Sequence, residues 1–300
     1  MVQVWYITGA SSGLGLDLVK HLLEKGDKVA ATSRNIAKLE SLISKESESF
    51  LPLSLNFKEN IEENIQANLE TIKQKFSRLD NVVNNAGYGL LGFVEEVGVQ
   101  RLKEQFEINV FVPYLIIQNA LKIMRPQSIS EGGNSQNIKA RIYNLSSIGG
   151  FRVSNNSTPY CMSKFAISAL SEGLMLDVGE YGIHTINVMP SGFRTEFLGG
   201  NMKLGDNEIA AYDSRREAFL HNAKAYNGKQ AGDPKAFARI IYETSRMPNP
   251  PLHLFVGEAA YSNAKEKIAW LEKEMQGTRD YAGIAADFSD SIKSAFSGKA

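Results

Sequence analysis

Tyr160 and Lys164, four positions apart, are the residues in this sequence whose types and spacing most directly imply proton chemistry. A phenol with an ordinary pKa near 10 is about 0.1% ionised at pH 7, so a tyrosine that exchanges protons needs a nearby cation to favour its phenolate. On a helix, positions i and i+4 share a face. The Lys164 ammonium can therefore serve the Tyr160 phenol and also hold a nucleotide ribose beside it. Ser147 lies thirteen residues before Tyr160, enough chain to leave a sheet, turn, and bring a helix back over the strand end. Its hydroxyl would then hydrogen-bond the substrate oxygen. A second Tyr-x-x-x-Lys, Tyr261 and Lys265, has Pro248 rather than a serine thirteen residues upstream and is read as a decoy.

A second kind of chemistry is written in TGASSGLG, residues 8–15. Gly9, Gly13 and Gly15 lie between an apolar run and a helical pattern, where unpaired amides and the helix dipole favour a pyrophosphate and glycines let it approach the backbone. The G-x-x-x-G-x-G spacing differs from G-x-G-x-x-G but serves the same geometry. Further on, the stretch ATSRN puts Ser33 where an acid would bind the ribose 2′-hydroxyl of NAD and follows it with Arg34; no Asp or Glu occurs between Val29 and Leu39. An arginine accommodates the 2′-phosphate of NADP, so NADP(H) is expected to be preferred, with NAD(H) still possible.

These residues need elements to hold them. Apolar runs of strand length recur as QVWYIT, KVAATS, FLPLSL, NVVNNA, ARIYNL, HTINVM and LHLFVG, with helix-period segments between most of them. The alternation predicts an α/β fold: a doubly wound parallel sheet of about seven strands with helices on both faces. The periodicity predicts a helix over 101–124 that carries Asn109. Residues 126–138, PQSISEGGNSQNI, are expected to form an exposed loop. Residues 1–257 read as one catalytic domain, with a lid over an apolar site at about 196–230, and 258–300 as a helical extension whose last part is a Gly-, Ala- and Ser-rich tail.

Composition narrows the partners. The 33 basic and 33 acidic residues balance, so nothing in the charge predicts nucleic acid or a membrane surface, and a small molecule is the expected partner. With no 18-residue apolar stretch and a first strand that starts at Val2, no signal or membrane segment is expected. A single cysteine, Cys161, excludes an internal disulfide framework, and the cytoplasm is the default location. His21, His184, His221 and His253 lack metal-ligand spacing, and no metal is expected. Cys161, about 100° around the helix from Tyr160, is read as packing rather than as a nucleophile.

The motif Thr8-Gly9-x-x-x-Gly13-x-Gly15 resembles that of the short-chain dehydrogenase/reductase family. Other marks of the family follow in order: NNAG at 84–87, Asn109, Ser147, YCMSK with Tyr160 and Lys164, and PSGFRT with Pro190 and Thr195. The resemblance covers roughly residues 3–257 and implies a Rossmann fold. It adds Asn109 to Ser147, Tyr160 and Lys164 as a catalytic set, giving Asn109 a water-held proton relay to Lys164. It gives Thr195 a hydrogen bond to the nicotinamide carboxamide. The cofactor-binding set then comprises Thr8, Gly9, Ser11, Ser12, Gly13, Leu14, Gly15, Ser33, Arg34, Asn56, Asn85, Ala86, Gly87, Tyr160, Lys164, Pro190, Gly192 and Thr195. Asn56 stands where many members carry an Asp, and Ser191 replaces the first Gly of the usual Pro-Gly pair. Tyr88, Phe151, Val153, Ser191 and Phe197 are expected to border the substrate.

PSGFRT resembles the branch with hydroxysteroid and retinol dehydrogenases and bacterial oxidoreductases of unassigned substrate. The resemblance also implies a homodimer or homotetramer through the helices near 101–124 and 158–180. The reading is an NADP-preferring oxidoreductase that moves hydride between nicotinamide and a carbonyl or secondary alcohol. The alternative is a catalytically weak NADPH-binding regulator, which would need only the glycine turn and Arg34 and not the other four residues.

Overall fold

Each residue of the first strand is buried, and successive residues enter different cores: Val4 and Tyr6 one, Trp5 and Ile7 the other. That alternation places the strand in the middle of a sheet covered on both sides. In the computed structural model, which describes residues 2–57, 59–200 and 202–284, nine strands form. They are β1 (Val4–Ile7), β2 (Lys28–Ser33), β3 (Phe50–Ser54), β4 (Asn81–Asn84), β5 (Gly89–Leu91), β6 (Ala140–Leu145), β7 (Ile183–Pro190), β8 (Met202–Leu204) and β9 (His253–Val256). Seven make one parallel sheet in the order β3-β2-β1-β4-β6-β7-β9; β5 and β8 pair separately, also in parallel.

The helices are α1 (Gly13–Glu24), α2 (Ile36–Leu42), α3 (Ile61–Phe76), α4 (Val99–Phe106), α5 (Val112–Ser130), α6 (Thr158–Val178), α7 (Asp213–Tyr226), α8 (Pro234–Arg246), α9 (Glu258–Gly277) and α10 (Arg279–Ile284). Ile65, Leu69 and Ile72 of α3, Ile116 and Ala120 of α5 and Leu174 of α6 pack on one face of the sheet. Leu18 and Leu22 of α1 and Phe237 and Ile241 of α8 pack on the other. This is the doubly wound α/β fold expected from the alternating runs. Among the described residues no helix is long and apolar enough to cross a membrane.

One local expectation is corrected. Helix α5 runs on through Pro126 to Ser130, where polar composition predicted a loop. Gln127 accepts from the Leu79 amide (2.9 Å) and donates to Asp80 Oδ1 (3.0 Å), and Ser128 Oγ donates to the Tyr181 carbonyl (2.6 Å). Polar side chains here are tertiary anchors, and their bonds outweigh weak helix propensity. The helix expected over 101–124 forms, with a π-turn, Glu107–Phe111, that widens it around the buried Asn109. Residues 285–300 of the expected tail lie outside the described residues; 258–284 are helical, as α9 and α10.

The segment expected to cover the site leaves the sheet after β7 and returns at α8 through a hydrogen-bonded neck. Gly232 N donates to the Gly192 carbonyl (3.0 Å), Arg194 N to the Gly232 carbonyl (3.0 Å), and Arg194 Nη1 to the Gln230 carbonyl (2.8 Å). Farther out, β8 pairs with β5, and the buried Glu96 receives Arg216 of α7 as its ion-pair partner.

Candidate active site

The strand order reverses between β1 and β4, the place in an open parallel sheet where a crevice opens beyond the strand ends. A cleft of about 890 Å³ lies there, toward the upper end of the ~300–1,000 Å³ typical of small-molecule sites. One end is built by the turn between β1 and α1. Gly9 (φ +67°) and Gly13 (φ +55°) adopt the left-handed backbone that favours glycine. A Cβ on Gly9 would stand 2.9 Å from Ala86 Cα, and one on Gly13 would stand 3.3 Å from the Thr195 side chain across the cleft. Ser12 opens α1 without a side-chain cap, and no acid occupies the first helical turn, so the helix end keeps its attraction for anions.

Another part of the lining carries the residues expected to handle a proton. Ser147 ends the segment after β6, and its Oγ accepts from the Gly149 amide (3.0 Å). Tyr160 and Lys164 lie on α6, with the Lys164 ammonium 5.7 Å from the centre of the Tyr160 ring. Burial pushes the Tyr160 phenol well above its ordinary pKa, against the lowering effect of its hydrogen bond with Ser147. Burial also pushes Lys164 down, to about 8, and its Nζ donates to the Leu145 carbonyl (2.6 Å). Burial thus favours the protonated phenol and works against the Lys164 ammonium.

Asn109 stands behind this wall. Its Nδ2 donates to the Tyr88 carbonyl (3.0 Å) and to Ser163 Oγ (3.1 Å), and its Oδ1 accepts from the Tyr88 amide (3.2 Å). The amide thus holds the chain just after β4 by both backbone groups. A Cβ on Gly87 would lie 3.1 Å from Asn109 Oδ1 and 3.7 Å from Lys164 Nζ, so the three residues meet at one corner.

The family model for short-chain dehydrogenases matches residues 3–203. The chain belongs to the short-chain dehydrogenase family. With the family comes the enzyme class, an NAD(P)-dependent oxidoreductase of CH–OH and C=O groups. An oxidoreductase of Botryotinia fuckeliana is 30% identical over 268 residues, 88% of this chain and 92% of that protein. An uncharacterized oxidoreductase of Schizosaccharomyces pombe is 32% identical over 273 residues, 90% of this chain and 87% of the other. Among solved structures, a short-chain dehydrogenase from Streptomyces avermitilis superposes with a TM-score of 0.82 at 28% identity, covering 96% of this chain and all of that one.

The residues of this short-chain dehydrogenase fit a nicotinamide dinucleotide along the cleft. Ser11, Ser12, Gly13 and Leu14 line the glycine-turn end; Ser33 and Arg34 line it at the end of β2. Asn85, Ala86 and Gly87 line the cleft as well, as do Pro190, Gly192 and Thr195. Arg34 is exposed and makes no ion pair with any described residue. Thr8 and Gly15 act from behind. Thr8 Oγ1 accepts from the amides of Asn85 and Ala86 (both 3.1 Å), while Asn85 Nδ2 donates to the carbonyls of Thr8 (2.8 Å) and Gly9 (3.1 Å). Gly15 makes room for that amide: a Cβ there would stand 2.5 Å from Asn85 Nδ2. This cross-clamp joins the glycine turn to the NNAG turn, and neither motif alone signals it.

Three expected residues lie off the cleft. The chain past β3 alternates, so Leu55 and Phe57 border the cleft while Asn56 points to solvent. Phe151 turns away and packs edge-on against Phe255 of β9, ring centres 5.6 Å apart. Val153 is exposed beside a separate surface depression. Tyr88, Ser191 and Phe197 do line the cleft, joined by Ile108 of the π-turn and by Tyr226 and Gln230 at the neck. Ile108 lines the cleft while its neighbour Asn109 does not, and neither Ile108 nor Gln230 carries a signal of its place in the sequence.

Proposed function

We propose that the protein reduces a carbonyl with NADPH, Tyr160 donating the proton to the carbonyl oxygen. The observation that carries this reading is the convergence of Ser147, Tyr160 and Lys164 on one wall of the cleft whose far end holds the glycine turn and Arg34. Ser147 hydrogen-bonds the substrate oxygen and sets it before the phenol. Tyr160, protonated at neutral pH, gives up its proton as negative charge develops on that oxygen. The Lys164 ammonium stabilises the phenolate left behind, and Asn109 holds the Tyr88 backbone against this corner. Ser11 to Leu14 would hold a pyrophosphate, Arg34 a 2′-phosphate, and Lys164 and Thr195 the nicotinamide riboside. When bound, that nicotinamide supplies the hydride. Turnover of NADPH with a panel of ketones, aldehydes, steroids, retinoids and quinones, followed at 340 nm, tests the reading.

The preference for NADPH rests on Arg34 and on the absence of acids near it. Arg34→Ala is expected to weaken NADPH binding about 5- to 30-fold, roughly 1–2 kcal/mol, while NADH affinity stays within about twofold. Fluorescence titration of both cofactors measures this, and equal losses would remove Arg34 from the argument.

Lys164 also sets a pH limit. Its ammonium is intact below about pH 8 and lost above it, so kcat/KM for reduction should sit on a plateau below that value and fall about tenfold per pH unit beyond it. Lys164→Met should be slow and lack this limb. A wild-type profile flat to pH 9.5 would contradict the role given to Lys164.

Phe111 and Tyr114 near the start of α5, and Met162 and Phe165 on α6, are large apolar side chains left exposed. A homodimer or homotetramer would cover them, in keeping with the preference for burying apolar area. Sedimentation that found only monomer at micromolar concentration would refute the assembly.

A further inference from the structure

An aromatic ring lies beside the Tyr160 ring. Phe197 sits in the short turn Glu196–Leu198, its ring centre 5.3 Å from that of Tyr160 and tilted by 58° to it. Two features hold it there. Thr195 Oγ1 accepts from the Phe197 amide (3.3 Å), fixing the turn. Gly89, the first residue of β5, leaves the space the ring fills: a Cβ on Gly89 would stand 2.7 Å from Phe197 Cζ and 3.2 Å from Cε2. Gly89 is not in the left-handed region, so any residue could adopt its backbone. What the position requires is the missing side chain. Glycine at 89 and phenylalanine at 197 are thus a matched pair, the Cζ edge of the ring lodged against bare backbone beside Tyr160.

A carbonyl that reaches the Tyr160 hydroxyl has two substituents to place, and the Phe197 ring, packed beside Tyr160 on the cleft wall, narrows the room for one of them. Tyr88, Ile148 and Leu198 line the cleft around it. Aromatic rings favour flat apolar partners against their faces, and a phenylalanine seated against backbone cannot retreat in that direction. We propose that Phe197, seated on Gly89, sets the size limit of the substrate, so that the protein takes aldehydes and ketones with a slender or single-ring flat group on that side and rejects fused or branched ones. This rests on the reading of Tyr160 as the proton donor.

The test uses acetophenone, 2-acetonaphthone and 9-acetylphenanthrene, a series in which only the aryl width grows. kcat/KM is measured with NADPH for the wild type, Phe197→Ala, Gly89→Ala and the double variant. The same ketones are titrated into NADP⁺-loaded Tyr160→Phe, with and without Phe197→Ala, by calorimetry. In the wild type kcat/KM should fall at least about tenfold from the one-ring to the two-ring ketone, and Phe197→Ala should erase that drop. Gly89→Ala, which drives the ring toward Tyr160, should lower even acetophenone at least about fivefold, and do so less than about twofold once Phe197 is gone. The calorimetric series should show the same cut-off and its relief without any turnover. A cut-off unmoved by Phe197→Ala in both assays, or no ketone bound by any variant, overturns the proposal. Turnover that survives Tyr160→Phe with the cut-off intact would instead overturn the catalytic reading and leave the size limit standing.

Discussion

Replacing Tyr160 by phenylalanine is expected to lower kcat/KM for carbonyl reduction about a thousandfold while the NADPH dissociation constant moves less than about twofold. The substitution removes one oxygen and keeps the ring, so the contact with Phe197 and the bond from Lys164 Nζ to the Leu145 carbonyl both survive. What disappears is the phenolic proton that faces Ser147. Ser147 can still hydrogen-bond the substrate oxygen, which is why the expected loss is large but finite. Steady-state kinetics on the best ketone, paired with cofactor titration, give both numbers. Turnover within tenfold of the wild type would remove Tyr160 from the proton path. Tight NADPH binding with no turnover in the wild type itself would favour the cofactor-binding regulator.

The second large effect lies at the other end of the sheet. Asp80, 2% exposed, precedes β4; its carboxylate accepts from the Val4 amide (2.8 Å), from Arg78 Nη2 (2.7 Å) and Nε (3.0 Å), and from Gln127 Nε2 (3.0 Å). One side chain thus ties β1, β4 and α5 together. Asp80→Ala leaves the Val4 amide buried without an acceptor and frees Gln127, a loss of about 3 kcal/mol. Arg78 is partly exposed and can turn to water, which keeps the figure below that of a fully buried pair. The melting temperature should fall about 5–10 °C. Cofactor affinity should not change, because β1 and β4 meet the cleft only at their far ends. Asp80→Asn, which keeps an acceptor for Val4, should lose roughly half as much. A drop under 2 °C for Asp80→Ala would show that the buried network contributes little.

The strands were legible because a parallel sheet covered on both faces favours short, mostly apolar runs spaced between helix-period segments. The glycine turn and the Ser147, Tyr160 and Lys164 spacing were legible because their chemistry restricts residue type. Gln127 and Ser128 misled because a polar residue that anchors another element looks, in one dimension, like one that faces water. Asn56 and Phe151 misled for a related reason: a strand end gives the neighbourhood of a site, but whether a side chain points into it depends on backbone pleat and on neighbours such as Phe255. The π-turn at Asn109 left no trace in the periodicity, since five residues in one wide turn shift the apolar pattern by less than one position.

The neck at Gly192, Arg194 and Gly232 gives the segment it closes a degree of independence. The two ends are fastened to each other before the chain reaches Phe197, so the closure is fixed by the neck and not by what lies beyond it. Lengthening such a loop is inexpensive, about 0.6 kcal/mol for each doubling. Insertions, deletions and wholesale exchanges between residues 199 and 229 are therefore changes this scaffold can absorb while Tyr160, Lys164 and the glycine turn stay where they are. The neck thus separates two tasks: the fit to a substrate can change with the loop without moving the residues on the other wall of the cleft.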